Sequence, residues 1–417
     1  MNKKVCLGLV LLLGIFAILQ ASSQETILIK NATIVPVVGA KIVNGSLLIQ
    51  KGKITQIGTS INAPADAKVI DAKGMSVYPG FVSPFTAIGV TGAPGAGNDT
   101  DEIGVSTAQM DPYDAINPED DCIEVTRIDG VTTVMTVSGT RNVINGKTVV
   151  MNLEGDFAQD LLMKRYVAQV FNTGARRPNS YPSTSPGVVS FIRDKLNQTK
   201  LYADKKTESA KPDLELEALV PVIKKEVPAL FITNDEVTIR NALEIIKEYD
   251  LRGIILASAD AQKFADQLAK ERIPVIWSGA LTVPKDNEPY DINLRTAGVL
   301  SARGVLLAFE SGRGAGSRNV RNLPVPAGMS VAHGLSEEDA IKAITINPAK
   351  ILGIDDQVGS LEVGKIANVV IWRGSPIQLT SRVHTVIIKG KVIPLTSVQT
   401  RLRDKFEKLV KDRMKKE

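Results

Sequence analysis

Two histidines, two cysteines and 45 acidic residues are the main chemistry-bearing stock of this 417-residue chain. A catalytic zinc centre takes three protein ligands, commonly imidazoles, and two histidines cannot supply three. His333 directly precedes Gly334 and a helix start, and His384 alternates with apolar residues in a strand-like run. Both read as structural or exposed. Carboxylates are the remaining candidates: Asp235 and Glu236 follow the apolar run Ala229 to Thr233, Asp260 follows Gly253 to Ala257, and Glu310 ends Val305 to Phe309. At the ends of parallel barrel strands such groups face the pocket. A pair with separated pKa values can then do general acid-base work. The same residues are suited to capping helices or pairing with Lys and Arg, and that is the expectation favoured here.

The elements that would position them change character along the chain. From Thr26 to Ile70, short β-rich runs (Ile27 to Ile29, Thr33 to Val38, Ser46 to Ile49, Ile54 to Ile57) are separated by turn signals at Asn44-Gly45 and Lys51-Gly52-Lys53. Similar runs return at Asn368 to Trp372 and Arg382 to Lys389, so one sheet built from both ends is expected. Between them, strands at Val131 to Val137, Ala229 to Thr233, Gly253 to Ala257, Pro274 to Trp277 and Val305 to Phe309 alternate with helical stretches such as Thr238 to Tyr249 and Ala261 to Lys270. This alternation predicts an α/β fold with a parallel barrel. Ser336 and Asp339 have capping-box spacing, and Asn347 as N-cap with Pro348 and Gly353 brackets another helix. The Gly- and Asp-rich stretch 91–121 lacks the regular spacing of a calcium loop and reads as a solvated acidic loop. Ser397 to Glu417 reads as a basic helix with Leu402, Phe406, Leu409 and Met414 along one side, for packing on the barrel or a partner.

With 44% apolar and 23% charged residues, the chain can bury a sizeable core, which excludes disorder and a small disulfide scaffold. Residues 1–23 read as a secretory signal: Lys3 and Lys4, an apolar run from Val5 to Leu19, then Ala21-Ser22-Ser23 with Gln24 as first mature residue. That run is shorter than the roughly 20 residues a membrane span needs. An exported, periplasmic or extracellular protein without a stable membrane span is expected. Cleavage removes Cys6 and leaves Cys122 as a lone, buried and inert thiol. It also changes 50 basic against 45 acidic residues to 48 against 45, or +3, too small an excess to expect nucleic acid as a partner.

Four segments, Tyr78-Pro79-Gly80-Phe81-Val82, Gly130-Val131-Thr132-Thr133-Val134, Thr345-Ile346-Asn347-Pro348-Ala349-Lys350-Ile351-Leu352-Gly353 and Gly359-Ser360-Leu361-Glu362-Val363-Gly364-Lys365, resemble the amidohydrolase superfamily in its imidazolonepropionase-like branch. The resemblance covers nearly the whole mature chain. It implies a (β/α)8 TIM-like barrel (residues 79–355) flanked by a small β-rich composite sandwich domain (24–78 with 356–395), and the basic helix read from the residues (396–417) follows these. It also implies one or two divalent metals at the C-terminal mouth of the barrel, activating water for hydrolysis of amide and related C–N bonds. In that branch Asp-x-His-x-His follows the Pro-Gly-Phe-Val segment, and two histidines at i and i+2 project to one face and chelate an ion. Here Ser83-Pro84-Phe85-Thr86-Ala87 stands there, with Phe85 and Ala87 at the histidine positions. Ile232 and Ala257 fall near the next expected histidines, and Glu310 is the one potential ligand in the segment that replaces the metal-binding Asp.

No histidine-held cofactor is therefore expected, although an Asp or Glu site for a harder ion stays open. Three roles follow: an exported barrel that binds a small-molecule ligand without hydrolysis, a hydrolase with a carboxylate centre built on Glu310 with Asp235 or Asp260, and an interaction subunit of a catalytic amidohydrolase relative.

Overall fold

The structure is a computed structural model describing residues 25–91, 98–205, 212–285, 288–311 and 314–415. The export signal read at residues 1–23 lies outside the described residues. The first sheet runs β1 (Ile27–Ile34), β2 (Ile42–Gln50), β3 (Lys53–Gly58), β4 (Lys68–Asp71) and β5 (Ser76–Pro79), and the far end of the chain adds β14 (Val369–Arg373), β15 (Arg382–Ile388) and β16 (Lys391–Ile393). Its order is β16-β15-β14-β5-β1-β2-β3, with β4 also on β1. Ile27, Ile29, Leu47, Ile49, Val369, Ile371 and Ile387 form its buried apolar core. Lys51 and Gly52 both have positive φ, and Gln50 pairs with Lys53, which is the two-residue hairpin turn the sequence signals. The other expected turn is corrected. Asn44-Gly45 lies inside β2, where Asn44 takes φ +51° and Gly45 pairs with Ala32 at an irregularity in the β1–β2 ladder. The run Ile27 to Ile29 and the first two residues of the run Thr33 to Val38 share one bulged strand that ends at Ile34, with Asn31 (φ +60°) absorbing the kink, and Val35 to Val38 lie outside it.

The second sheet contains β6 (Phe81–Thr86), β7 (Val131–Val137), β8 (Ile144–Asn152), β9 (Leu162–Asn172), β10 (Ala229–Ile232), β11 (Gly253–Ala257), β12 (Val275–Trp277) and β13 (Leu307–Phe309), hydrogen-bonded in sequence order. All neighbours are parallel except β8, which runs antiparallel to both β7 and β9. Regular alternation with helices thus begins only after β9. The α-helices of six or more residues are α1 (Asp121–Arg127), α2 (Ser185–Lys205), α3 (Leu214–Ile223), α4 (Glu236–Tyr249), α5 (Ala265–Lys270), α6 (Ile292–Ala302), α7 (Pro324–Val331), α8 (Glu337–Lys342), α9 (Ile346–Leu352) and α10 (Val398–Met414). The seam between β13 and β6 is spanned by the segment entering α9: Phe309 N–H donates to Ala343 O and Val82 N–H to Ile344 O. Asn347 is not the N-cap, which is Thr345. Its amide instead donates to Leu307 O across the seam (2.9 Å). Gly353, in the left-handed region, ends α9 as expected.

Strand alternation sorts the side chains into two populations. Val82, Phe85, Val137, Leu230, Ile232, Leu256 and Ile276 fill one cluster inside the barrel. Phe81, Val134, Phe231, Trp277 and Phe309 belong to the layer shared with the helices. Sheet and barrel are bolted together at Asn368, whose Nδ2 donates to Asn152 Oδ1 (2.6 Å) and Thr133 Oγ1 (3.2 Å) while its carbonyl accepts from Gly80 N–H (2.9 Å). Glu154 adds a bridge between Arg127 (2.6 Å) and Lys391 (2.5 Å).

Helix α10 does not pack on the barrel: among its described residues none is buried, and Leu402, Phe406, Leu409, Val410 and Met414 are all exposed. Only its first turn is held, by Ser397 as N-cap, by Arg321, which donates to Gln399 Oε1, and by Glu124, which accepts from Val398 N–H (2.7 Å) and pairs with Arg401 (2.7 Å). Deleting residues 402–417, beyond the held first turn, should therefore shift the melting temperature by less than about 2 °C, because surface changes away from packed features stay within roughly 0.5 kcal/mol. Differential scanning calorimetry would show it, and a drop of ten degrees would refute the exposed placement.

Candidate active site

The mouth lies where the chain leaves the C-terminal ends of the parallel strands. A cavity of about 760 Å³ opens there, with Phe85, Val137, Ile232 and Leu256 as its apolar floor. Its rim comes from the connections after β6, β7, β9 and β10, which contribute Glu102, Thr140, Arg141, Asn172, Arg176 and Asn234. Glu102 Oε1 accepts from Thr140 N–H (2.8 Å) and Thr140 Oγ1–H (3.0 Å), and its Oε2 lies 3.3 Å from Arg141 Nε. Asn172 ties two rim turns together, donating to Thr140 O (2.7 Å) and accepting from Gly174 N–H (2.8 Å). A smaller cavity of about 180 Å³ adjoins through Asn234 and is lined by Ala257, Ser258 and Lys285.

The candidate residues separate. Phe85 and Ala87 are 1% and 2% exposed and line the large cavity with Ile232. Ser83 is buried in β6, and its Oγ has no hydrogen-bond partner among the described residues. Ala257 belongs to the outer layer and the smaller cavity, and Leu256 is the inward residue of β11. Asp235 is drawn into the N-cap of α4, accepting from Thr238 N–H (2.9 Å). Asp260 is held by Lys263 and Lys285, each at 2.9 Å. Glu310 is buried just beyond β13, its N–H donating to Trp277 O. None of the three carboxylates lines the large cavity among the described residues.

Burial opposes ionisation of Asp260, but the hydrogen bonds from Lys263 and Lys285 outweigh it and hold the carboxyl below its usual range. A lowered carboxyl stabilises the fold above its ordinary pKa and loses that contribution as the pH falls through the lowered value. Asp260→Asn should therefore cost about 1–3 kcal/mol at pH 7 and progressively less toward pH 2, measured by urea denaturation across that range. An equal cost at both ends would refute the ionic role.

The residues at the mouth do not fit a histidine-held metal. The floor is hydrocarbon, His333 Nδ1 lies 3.8 Å from Asp291, and His384 Nδ1 shares a 2.9 Å hydrogen bond with Thr385 in β15. Among the described residues, Asp120, Asp121 and Cys122 form the one group with ligand atoms close enough to hold an ion. Asp120 is already committed to the backbone of Cys122 (2.8 Å) and Gly89 (2.6 Å), and none of the three lines the cavity. The solvated reading of segment 91–121 is corrected for at least three residues: Asp120 is buried, and the Glu102 and Asp111 side chains are only 17% and 11% exposed. Sequence reasoning missed Glu102, Thr140, Arg141 and Arg176 as rim groups. Asn172 and Asn234, lying at or just past strand ends, carried a readable positional signal.

Residues 228–393 match the amidohydrolase family. The fold also superimposes on a crystal structure of an amidohydrolase from Thermotoga maritima MSB8 with a TM-score of 0.80 and 28% identity, covering 88% of this chain and 99% of that one. An imidazolonepropionase from Symbiobacterium thermophilum is 24% identical over 381 residues, 82% of this chain and 85% of that protein. Over residues 228–393 the chain carries an amidohydrolase-family domain, and along most of its length it is similar to the imidazolonepropionase-like branch of that superfamily. A further member, amidohydrolase tasK of Hapsidospora irregularis, is 23% identical over 393 residues, and the chain spans 39% of its length. Within this frame, the segment entering α9 serves as the closing seam of the barrel, while the mouth has a hydrocarbon floor under a rim of amide, hydroxyl and charged groups.

Proposed function

We propose that this amidohydrolase-fold protein is an exported, non-hydrolytic binder of a small-molecule ligand, held at the barrel mouth. The observation that carries the reading is the floor: Phe85, Ala87, Ile232 and Leu256 occupy the mouth with side chains that cannot coordinate an ion or activate water. A concave site with an apolar base and a few convergent polar groups is what a small-molecule pocket requires. Elemental analysis of purified protein after dialysis, together with a panel of amides, lactones and dipeptides, tests it. Less than a tenth of an equivalent of zinc, manganese or iron and no turnover are expected. Stoichiometric metal that supports amide hydrolysis would overturn the reading.

One feature favours a hydrolase with a carboxylate centre as second reading: Glu310 is buried at the mouth end of β13, where a proton-transfer group would serve. On that reading Glu310→Gln abolishes turnover of a responding substrate while the melting temperature is retained. A third role, docking on a catalytic amidohydrolase relative, is supported by the exposed apolar side of α10.

A further inference from the structure

The Glu102 carboxylate is lodged in an anion-binding position. One oxygen takes a backbone N–H and a hydroxyl from Thr140, and the other faces Arg141. Two donors converging on one oxygen with a guanidinium beside the other form a complete receptor for a carboxylate. The receptor sits on the rim of the 760 Å³ cavity, directly above its apolar floor, and Arg176 adds a second cation to the same rim. Glu102 reaches it from the connection after β6, and Glu102, Thr140 and Arg141 all line the same cavity.

Resting on the reading of the mouth as a ligand site, we infer that Glu102 is a built-in stand-in for the ligand's own carboxylate. The ligand class is a carboxylic acid with an apolar body. Its carboxylate displaces the Glu102 side chain from Thr140 and Arg141, and its body lies over Phe85, Val137 and Ile232. Ligand binding then competes with an internal anion, and removing that anion strengthens binding of acids without strengthening binding of their neutral analogues. Arg141, whose side chain is 80% exposed, is free to follow either carboxylate.

Isothermal titration calorimetry of the full chain with hexanoate and 3-phenylpropionate, each beside its primary amide, tests this. Glu102→Ala should tighten binding of both acids about tenfold, equivalent to about 1.4 kcal/mol, and change the amides less than twofold. Arg141→Ala, made in the Glu102→Ala background, should reverse the gain. Glu102→Gln serves as a second variant should the alanine protein not fold, with the same direction expected. Acids and amides binding equally well, or acids weakened by loss of Glu102, would overturn the carboxylate inference and leave the mouth as a ligand site. Failure of all four probes to bind either the wild type or a folded Glu102 variant at millimolar concentration would overturn both.

Discussion

Replacing Phe85 with alanine should destabilise the protein by about 3–5 kcal/mol, the cost of emptying a fully buried aromatic site in a core that relaxes only in part. The ring is 1% exposed and belongs to the interior cluster with Val82, Val137, Leu230, Ile232 and Leu256. Total stability of a folded domain is only about 5–15 kcal/mol, so the variant should lose roughly a fifth or more of it. Urea denaturation would show a lower midpoint with an unchanged slope. Phe85→Leu, which keeps much of the volume, should lose markedly less. A cost below 1 kcal/mol for the alanine variant would mean that the ring is not part of the barrel packing, and the hydrocarbon floor on which the proposed function stands would fall with it. Phe85→His should be about as costly, because a buried imidazole replaces an apolar ring among apolar neighbours.

Gly80→Ala should be at least as damaging, and for a different reason. A Cβ at this position would lie 2.2 Å from Thr132 Oγ1 and 2.4 Å from Thr132 Cγ2, and Thr132 is itself fully buried in β7. Neither partner has room to yield: Gly80 N–H is hydrogen-bonded to Asn368 O, and Phe81 N–H to Gly130 O. Overpacking of this kind typically costs 1–3 kcal/mol where the core can shift. Here the chain passes directly from β5 of one sheet to β6 of the other, so a shift would pull on both. A loss above 3 kcal/mol, or failure to accumulate folded protein, is expected. Gly80→Ala with Thr132→Ser, which removes the Cγ2 methyl, should recover part of the loss. An unimpaired Gly80→Ala protein would refute the close approach.

Much of the barrel was legible because its strands obey simple patterning. The runs at Val131 to Val137 and Gly253 to Ala257 coincide with β7 and β11, and the Lys51-Gly52 turn takes the positive φ values its residues favour. Less was legible where a residue's local preference competes with a distant partner. Asn347 has the local credentials of an N-cap, yet its amide serves the seam at Leu307. Asn44-Gly45 has the composition of a turn, yet ladder pairing with β1 keeps it within a strand. The antiparallel course of β8 was equally hidden, because its apolar pattern does not reveal direction.

The histidine inventory and the residues after Gly80 follow from the sequence alone, since a chain with two imidazoles cannot hold an ion with three whatever its shape. Composition and period likewise determine that strands and helices alternate. Tertiary structure decided how the carboxylates are used. Asp235 is spent on a helix end, Asp260 on two lysines, and Glu102, 38 residues before Thr140, meets Thr140 and Arg141 between neighbouring connections at the barrel mouth. The physical reason is that the spacing of groups along a chain sets only local geometry, whereas a charge settles with whichever counter-charge or donor the closed barrel brings within about 3 Å.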